Sequence, residues 1–582
     1  HQGGVRVDAT LGNATYLAVY LLFNIFIYAF LLYRSKINWL KVLYGLTILV
    51  DLFLLYHTAT RGAILGFLAG MVVFSLVSAI WSKGLLRKVA VGVLALAIIT
   101  PVLFMVFKNS RFVQESQVLS RFASISFTET TTQSRFIIWG MAFDAWKERP
   151  ILGWGPESFV YLFSKYYDAD LWPQEPWFDR AHNVFLDWLT SAGIFGLLAY
   201  LSLFASTGYV LIKAFRSNKI AIHELAVFMG LLTAYLIHNL FVFDNFTSYI
   251  TFFAFLAYWH SLYSKYQEEG NPLKIPTNSG FATAKWGVVG MTSIAIIFSL
   301  YFFNIKPILA AQDIIDSLNN LTYSRNGSRE RNLDKGREIL EKAIARNTFG
   351  TPEIREQLAQ YAERINQDPA TTAEEKREFL QFALSEMKIQ AERFPYDIRA
   401  KAFLSTLYGD SGDPASAIEA AKSGLAVSDQ RQQFYFLLGE AYFKAGDEAS
   451  AIETLKESYE LAPDYKDAIH NYAVVLIFSG RAEEAETLLR KHFGMEIYPD
   501  TKYINAYAAL GDYKKIALVW EKLVERDPFN AQYRLSLASA YVKTFQDAKA
   551  IREIETAIEL SPAFKEQGMA YIRQIRDGKL VR

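Results

Sequence analysis

Six ionisable side chains stand at the ends of long apolar segments or in the largest polar loop between them: His57, Arg61, Arg135, His182, His238 and Asp244. Charge at membrane depth is costly, so such residues mark candidate sites. Arginine brings permanent charge and histidine a proton acceptor near neutrality. Standing on one side of the membrane, the six could share one cleft. Each residue also has a plainer reading. Arg61 could snorkel to headgroups, His182 could cap the span that follows it, and Arg135, after Thr130-Thr131-Thr132-Gln133-Ser134, could lie solvated beside a helix cap. His182 and His238 lack the i, i+4 partner of a helical zinc site. The absence of cysteine excludes disulfides, thiolate metal sites and cysteine nucleophiles.

The segments that must position these residues are hydrophobic stretches of about 20 residues, the length that crosses a bilayer. Eight are expected: Ala14–Tyr33, Leu40–Tyr56, Gly62–Trp81, Leu85–Phe107, Val184–Ile212, Ala221–Val242, Phe246–Tyr263 and Trp286–Asn304. The fifth is long, which predicts tilt or a helical extension. Basic residues alternate with the loops: Arg34, Lys36 and Lys41; Lys83, Arg87 and Lys88; Lys213, Arg216 and Lys219; Lys265, Lys274 and Lys285. These loops all fall on one side, which the positive-inside rule makes cytoplasmic. The six candidate residues, the loop 108–181 and everything after residue 305 are then external. His1 opens the chain without an initiator methionine, and the first residues read as a loop entering a helix, so further membrane helices are expected before it. Within the loop, the Trp/Tyr-rich stretch Tyr161–Trp177 suits membrane-interface anchoring more than sugar stacking, and Pro173 and Pro176 oppose a continuous helix there.

The whole-chain composition hides this division. Its 582 residues are 52% hydrophobic and 20% charged, with a net charge of +1 and a mean hydropathy of +0.11. That charge gives no basis for nucleic-acid binding, while the mild hydropathy averages an apolar half with a charged one. In the charged half, turns recur at Gly412-Asp413, Gly446-Asp447, Gly480-Arg481, Gly511-Asp512 and the glycine-free Phe545-Gln546, at intervals of 34, 34, 31 and 34. Ala417-Ile418, Ala451-Ile452 and Ala550-Ile551 share one phase after the turn, and Tyr442, Tyr472 and Tyr541 precede it. A period of about 34 residues is the tetratricopeptide signature. The expected fold class is all-α: a polytopic transmembrane bundle of GT-C-like type over 1–305, a helical connector over 306–396, and an α-solenoid of tetratricopeptide-like repeats over 397–582.

Several motifs occur in order through the first half: Thr10-Leu11-Gly12-Asn13-Ala14-Thr15-Tyr16-Leu17-Ala18, Thr58-Ala59-Thr60-Arg61-Gly62, Ser134-Arg135-Phe136 with Trp139, Arg149-Pro150-Ile151-Leu152-Gly153-Trp154-Gly155, Ala181-His182-Asn183 and Gly193-Ile194-Phe195-Gly196. Together they resemble the bacterial O-antigen ligase and polymerase family over roughly residues 5–305. Gly153-x-Gly155 alone is not specific, and since it follows no strand it does not read as a nucleotide loop. The resemblance implies transfer of a glycan from a polyprenyl-diphosphate carrier to an acceptor hydroxyl outside the cytoplasm. It makes Arg61 and Arg135 the groups that neutralise the leaving diphosphate and His182 the base that acts on the acceptor hydroxyl, with Asp187 or Asp244 as candidates to orient its ring. Asn183, His238 and Asp244 are further candidate substrate contacts. Neither cofactor nor metal is expected. The implied partners are the lipid-linked donor, a lipid or protein acceptor, membrane lipids and a protein ligand for the repeats. The implied location is the inner membrane, with the repeats extracytoplasmic. A polymerase of the same family, or a scaffold presenting the repeats, would also fit the organisation. A transporter would need a polar path, and Asp51 is the main intramembrane charge available to one, though it also suits a helix–helix hydrogen bond.

Overall fold

The computed structural model describes residues 6–126, 129–174, 177–268, 279–322 and 331–579, and the described residues are helical without strands. Lys274, Pro176 and the side chains of Lys265 and Lys285 lie outside them. Two compact units are present. One comprises His1–Tyr166 with Pro173–Gly290, the other Tyr167–Trp172 with Met291–Arg582. The division falls within a helix.

The helices of the first unit are α1 (Ala14–Arg34), α2 (Asn38–His57), α3 (Arg61–Trp81), α4 (Gly84–Phe107), the short α5 (Arg111–Glu115) and α6 (Leu119–Ala123), α7 (Thr130–Glu148), α8 (Phe159–Lys165), α9 (Val184–Arg216), α10 (Ile222–His238), α11 (Phe246–Glu268) and α12 (Ser279–Leu300). Among the described residues, six stretches are long and apolar enough to cross a membrane: α1, α2, α3, α4, α9 and Trp286–Leu321, the last running past α12. Two expected spans fall outside this set. The helix α10 has only 17 residues, and tyrosines, hydroxyls and His260 dilute the hydropathy of α11. Both pack into the core around α1, where Phe23, Phe26 and Phe30 meet Phe228, Tyr235, Phe252 and Trp259.

A stripe of small residues sets the central contact. A Cβ on Gly66 would lie 2.4 Å from the Ala234 carbonyl oxygen, and one on Gly70 would lie 2.6 Å from that of Gly230. Helices α3 and α10 therefore meet backbone to backbone, as small residues at four-residue spacing allow in membranes. This contact brings Arg61, at the start of α3, level with the C-terminal end of α10, where a Cβ on Gly62 would lie 3.6 Å from the His238 carbonyl.

The length of the fifth span is explained by a break. Gly193 interrupts α9 at φ 64°, ψ −163°, a conformation almost confined to glycine. The turn Arg149–Gly155 fits into this break: Ile194 N–H donates to the Pro150 carbonyl (2.8 Å), Trp154 N–H to Thr190 (2.8 Å) and Gly155 N–H to Ser191 (2.9 Å). Gly153, at φ 68°, comes so close to α9 that a Cβ would lie 2.6 Å from the Thr190 oxygen. The Gly153-x-Gly155 motif and Gly193 are thus two sides of one contact.

In the second unit, helix pairs such as Ile398–Asp410 with Pro414–Leu425 and Gln432–Lys444 with Glu448–Leu461 repeat to the last described helix, Lys565–Arg576. Each expected turn residue has positive φ: Gly412, Gly446, Gly480, Gly511 and Phe545. The following N–H closes a hydrogen bond five residues back, as in Asp413 to Tyr408 and Asp447 to Tyr442, both 3.0 Å. This is the helix stop that favours glycine. Asp413, Asp447 and Asp512 then cap the next helices through Ser416, Ser450 and Lys515 N–H. The region read as a helical connector is helical and shares a core with the first repeat helices, running from Ala310 through Leu358 to Leu407 and Ala420. Tyr167–Trp172 is part of this unit. The Tyr167 ring covers the Arg431 guanidinium at 4.1 Å, Gln432 Nε2 donates to the Ala169 carbonyl at 3.1 Å, and Trp172 stacks on Tyr465 at 5.1 Å. Interface anchoring was the expectation for these aromatics; Tyr167 and Trp172 instead pack on repeat residues.

Replacing Gly193 with alanine would put a Cβ 2.2 Å from the Ile151 oxygen. Gly193→Ala is expected to cost on the order of 1–3 kcal/mol from backbone strain alone and to release the 149–155 turn, read as faster limited proteolysis near Gly153 with α3 and α10 still protected.

Candidate functional site

Where α2 gives way to α3, the chain turns through Ala59 at φ 49°. Thr58 Oγ1 donates to the Leu55 carbonyl (2.7 Å), and Arg6 fixes the turn from outside, its Nε donating to the Thr58 carbonyl and an Nη to Thr60 Oγ1, each at 2.8 Å. Arg61 then opens α3. A second helix, α7, begins beside it after Glu129. The two N-terminal ends face a cavity of about 440 Å³ lined by Arg6, Arg61, Arg121, Arg135, Glu129 and Trp139, with Thr15, Thr60, Thr131, Thr132 and several apolar residues completing the wall. Four arginines face one carboxylate. Helix N-termini add partial positive charge, so positive charge dominates the cavity wall.

Glu129 holds Arg61 through a fork of two 2.9 Å hydrogen bonds, Nη1 to Oε2 and Nη2 to Oε1, and Nη2 also donates to Ser124 Oγ at 2.9 Å. Arg61 Nε is buried without a hydrogen-bond partner among the described residues. Burial raises the Glu129 carboxyl, but the hydrogen bonds and charge of Arg61 outweigh it and hold the group below its usual range. Arg135 has no carboxylate at ion-pair distance among the described residues; burial, and then the neighbouring Arg61, lower its pKa.

His182 stands next to this wall. Trp139 Nε1 donates to the Ala181 carbonyl at 3.1 Å, joining the loop end to the cavity-lining face of α7. Asp187 Oδ1 accepts from Ala181 N–H at 2.8 Å and Asn183 caps α9 through Phe185 and Leu186 N–H, so the turn is held from both sides. His182 itself has φ 52°, and its ring packs between Phe178 and Phe243 at 5.3 and 5.2 Å. Burial first, and the charge of Arg135 second, push its pKa down to about 4.

The structure therefore gathers Arg61 and Arg135 on one cavity and sets His182 beside it, within electrostatic reach of Arg135. The remaining candidates lie off the cavity wall. Asp244 accepts from Tyr200 on α9 (3.0 Å), Tyr235 on α10 and Ser248 on α11 (3.0 Å), tying three helices together. His238 is buried at the end of α10, with Nδ1 lacking a hydrogen-bond partner among the described residues. Asn183 is occupied as a cap, and neither Asp187 nor Asp244 hydrogen-bonds the His182 ring. His57 packs on Phe53 and Tyr56. Asp51 Oδ2, where a helix–helix hydrogen bond was expected, is buried without a partner among the described residues. Arg6, Arg121 and Glu129 are the cavity residues that the sequence reading missed. Arg6 precedes the first motif, while Arg121 and Glu129 lie in loop sequence whose path no periodicity fixes.

Residues 46–201 match the family model described as O-Antigen ligase. The match encloses Arg61, Arg121, Glu129, Arg135 and His182, while Arg6, His238 and Asp244 lie outside it. Tetratricopeptide repeat models match 404–466, 444–492 and 531–564. The expected two-part organisation is thereby found, and together with the long apolar helices it makes this a membrane protein whose matched family points to glycosyltransferase-type activity. No curated protein matches the chain. Similar solved structures include a tetratricopeptide repeat protein from Parabacteroides merdae (14% identity, 46% of this chain and 98% of that one, TM-score 0.31). Others are a thermophilic TPR protein of Thermus thermophilus (19%, 32% and 99%, 0.26) and yeast Tom70 (13%, 56% and 79%, 0.28). These likenesses are too distant to weigh, so the repeat assignment rests on the family models and the turn geometry.

Acid is the destabilising direction for both groups at this site. The lowered Glu129 pKa gives stability that is present above its unfolded value and lost as pH falls through the folded one. The unfolded chain binds a proton at His182 near 6.5 and the folded chain only near 4, so stability declines across that window as pH falls. His182→Gln is expected to flatten the pH dependence of the melting temperature between 6.5 and 4 without changing it near pH 8.

Proposed function

We propose that this protein is an integral-membrane glycosyltransferase that moves a glycan from a polyprenyl-diphosphate carrier to an acceptor hydroxyl on the external face of the inner membrane. The observation that carries this reading is the cavity in which Arg61 and Arg135 join Arg6 and Arg121 against a single carboxylate. A lipid-linked diphosphate is an anion that a membrane enzyme meets where its spans end, and guanidiniums bind its oxygens bidentately while remaining charged. They perform the charge neutralisation that a divalent metal performs in other transferases.

In the proposed reaction, His182 accepts the proton of the acceptor hydroxyl. The freed oxygen attacks the anomeric carbon on the face opposite the diphosphate, which inverts that centre. The bond from the anomeric carbon to the phosphate oxygen breaks, its electron pair passes to the diphosphate, and the arginines stabilise the charge that develops. A pKa near 4 makes His182 a weak base in the empty site. A bound diphosphate would offset the charge of Arg135 and draw the imidazole back toward its ordinary range. The repeat unit favours a protein acceptor or partner, as in an oligosaccharyltransferase acting on serine or threonine, with the repeats outside the cytoplasm. A scaffold role gives no reason to concentrate four arginines on one cavity.

Mass spectrometry of cell-surface glycoconjugates with and without the protein tests the reading directly: one conjugate should lose its glycan when the protein is absent. His182→Ala is expected to reduce transfer by about 10²–10⁴-fold in protein that remains folded and membrane-inserted, and full retained activity would remove its role as base. The acid limb of kcat/KM, which reports the empty site, is expected near pH 4, with that of kcat at higher pH.

A further inference from the structure

Among the four arginines of the cavity, Arg61 differs in already holding a carboxylate. Its fork with Glu129 has two bonds of 2.9 Å, the arrangement that a phosphate group also forms with a guanidinium. Glu129 stands at the cap position of α7 but does not cap it; its side chain is turned instead to Arg61, with Thr132 Oγ1 donating to Oε2 at 3.2 Å. The pair is only partly buried, at 26% and 20% side-chain exposure, so it can open without a large rearrangement. The buried Nε of Arg61 has no partner among the described residues, leaving a donor to spare when the fork changes hands.

We propose that Glu129 is a resident counter-ion that occupies the phosphate place on Arg61 in the empty site and is displaced when the diphosphate of the donor binds. This inference rests on the donor reading above and adds to it a residue that competes with the donor. The carboxylate keeps the Arg61 guanidinium ordered beside three other cations, and it competes with the substrate for the same fork. Once displaced, Glu129 faces the incoming anion with its own charge. That repulsion favours release of the diphosphate left after transfer.

The test is inorganic pyrophosphate binding to the purified full chain in detergent, measured by calorimetry. Wild type should bind weakly, and Glu129→Gln should bind on the order of tenfold more tightly, equivalent to about 1.4 kcal/mol. A purely structural role for Glu129 would have the opposite sign, since loss of a positioning contact weakens binding. Glu129→Asp keeps the charge but shortens the reach, so an intermediate tightening is expected; this variant carries the test if the Gln variant does not fold. Unchanged or weaker binding by both variants, in folded protein, overturns the proposal. Arg135→Ala separates the two layers of the argument. If it leaves wild-type affinity unaltered, or if the unmodified protein binds no pyrophosphate at all, the donor reading fails and this inference with it. If Arg135→Ala abolishes binding while the Glu129 variants fail to tighten it, the counter-ion role alone is lost.

Discussion

Four guanidiniums around one small cavity repel each other, and the first unit is organised to hold them there. Part of the repulsion is relieved locally: Glu129 forks Arg61, and Arg6 is spent on the Thr58 carbonyl and the Thr60 hydroxyl. The rest is imposed by packing. The glycine stripe on α3 lets its backbone touch α10, which fixes where Arg61 emerges. The 149–155 turn, set into the break at Gly193, follows the end of α7, while Trp139 within that helix joins the cavity wall to the turn carrying His182. What remains is an unbalanced positive charge that a diphosphate would complete.

The same logic accounts for what the loop sequence does between its motifs. A loop of this length over a membrane bundle needs internal structure to hold a side chain to useful precision. Here α5, α6, α7 and α8 supply it, and backbone hydrogen bonds to the opened carbonyls of α9 anchor it. Those carbonyls are free because Gly193 takes a conformation that a residue with a Cβ would strain to adopt. The break thus serves as an attachment point, and the loop motif and the span motif depend on each other.

Much of this was legible in the sequence, for reasons that differ by element. The repeat turns were readable because helix stops need a left-handed residue and repeat arrays place one every 34 or so positions; even Phe545, without a glycine, takes φ 60° to keep the phase. Arg135 stood out because Ser134-Arg135-Phe136 is one of the motifs that carry the family resemblance, and Arg61 because charge at the end of an apolar segment is rare. Asp244 was singled out by the same criterion, yet it serves packing: tyrosines from α9 and α10 and a serine from α11 satisfy it, and no linear pattern reveals three donors converging from separate helices. Glu129 was overlooked for the converse reason. A glutamate in a polar loop is ordinary until its partner, 68 residues away, is known. The extra length of α9 was read as tilt or a helical extension, and the break was not foreseen because periodicity reports hydrophobic faces and cannot report a break at one glycine.

The central claim, that this cavity receives the diphosphate of a lipid-linked glycan donor, is tested most directly by a structure of the protein with a non-transferable polyprenyl-diphosphate sugar bound. The account predicts phosphate density within hydrogen-bonding distance of Arg61 and Arg135, with the anomeric carbon turned toward His182. Density for the diphosphate at any other place in the bundle, with the Arg61–Glu129 fork closed and the cavity empty, would contradict it.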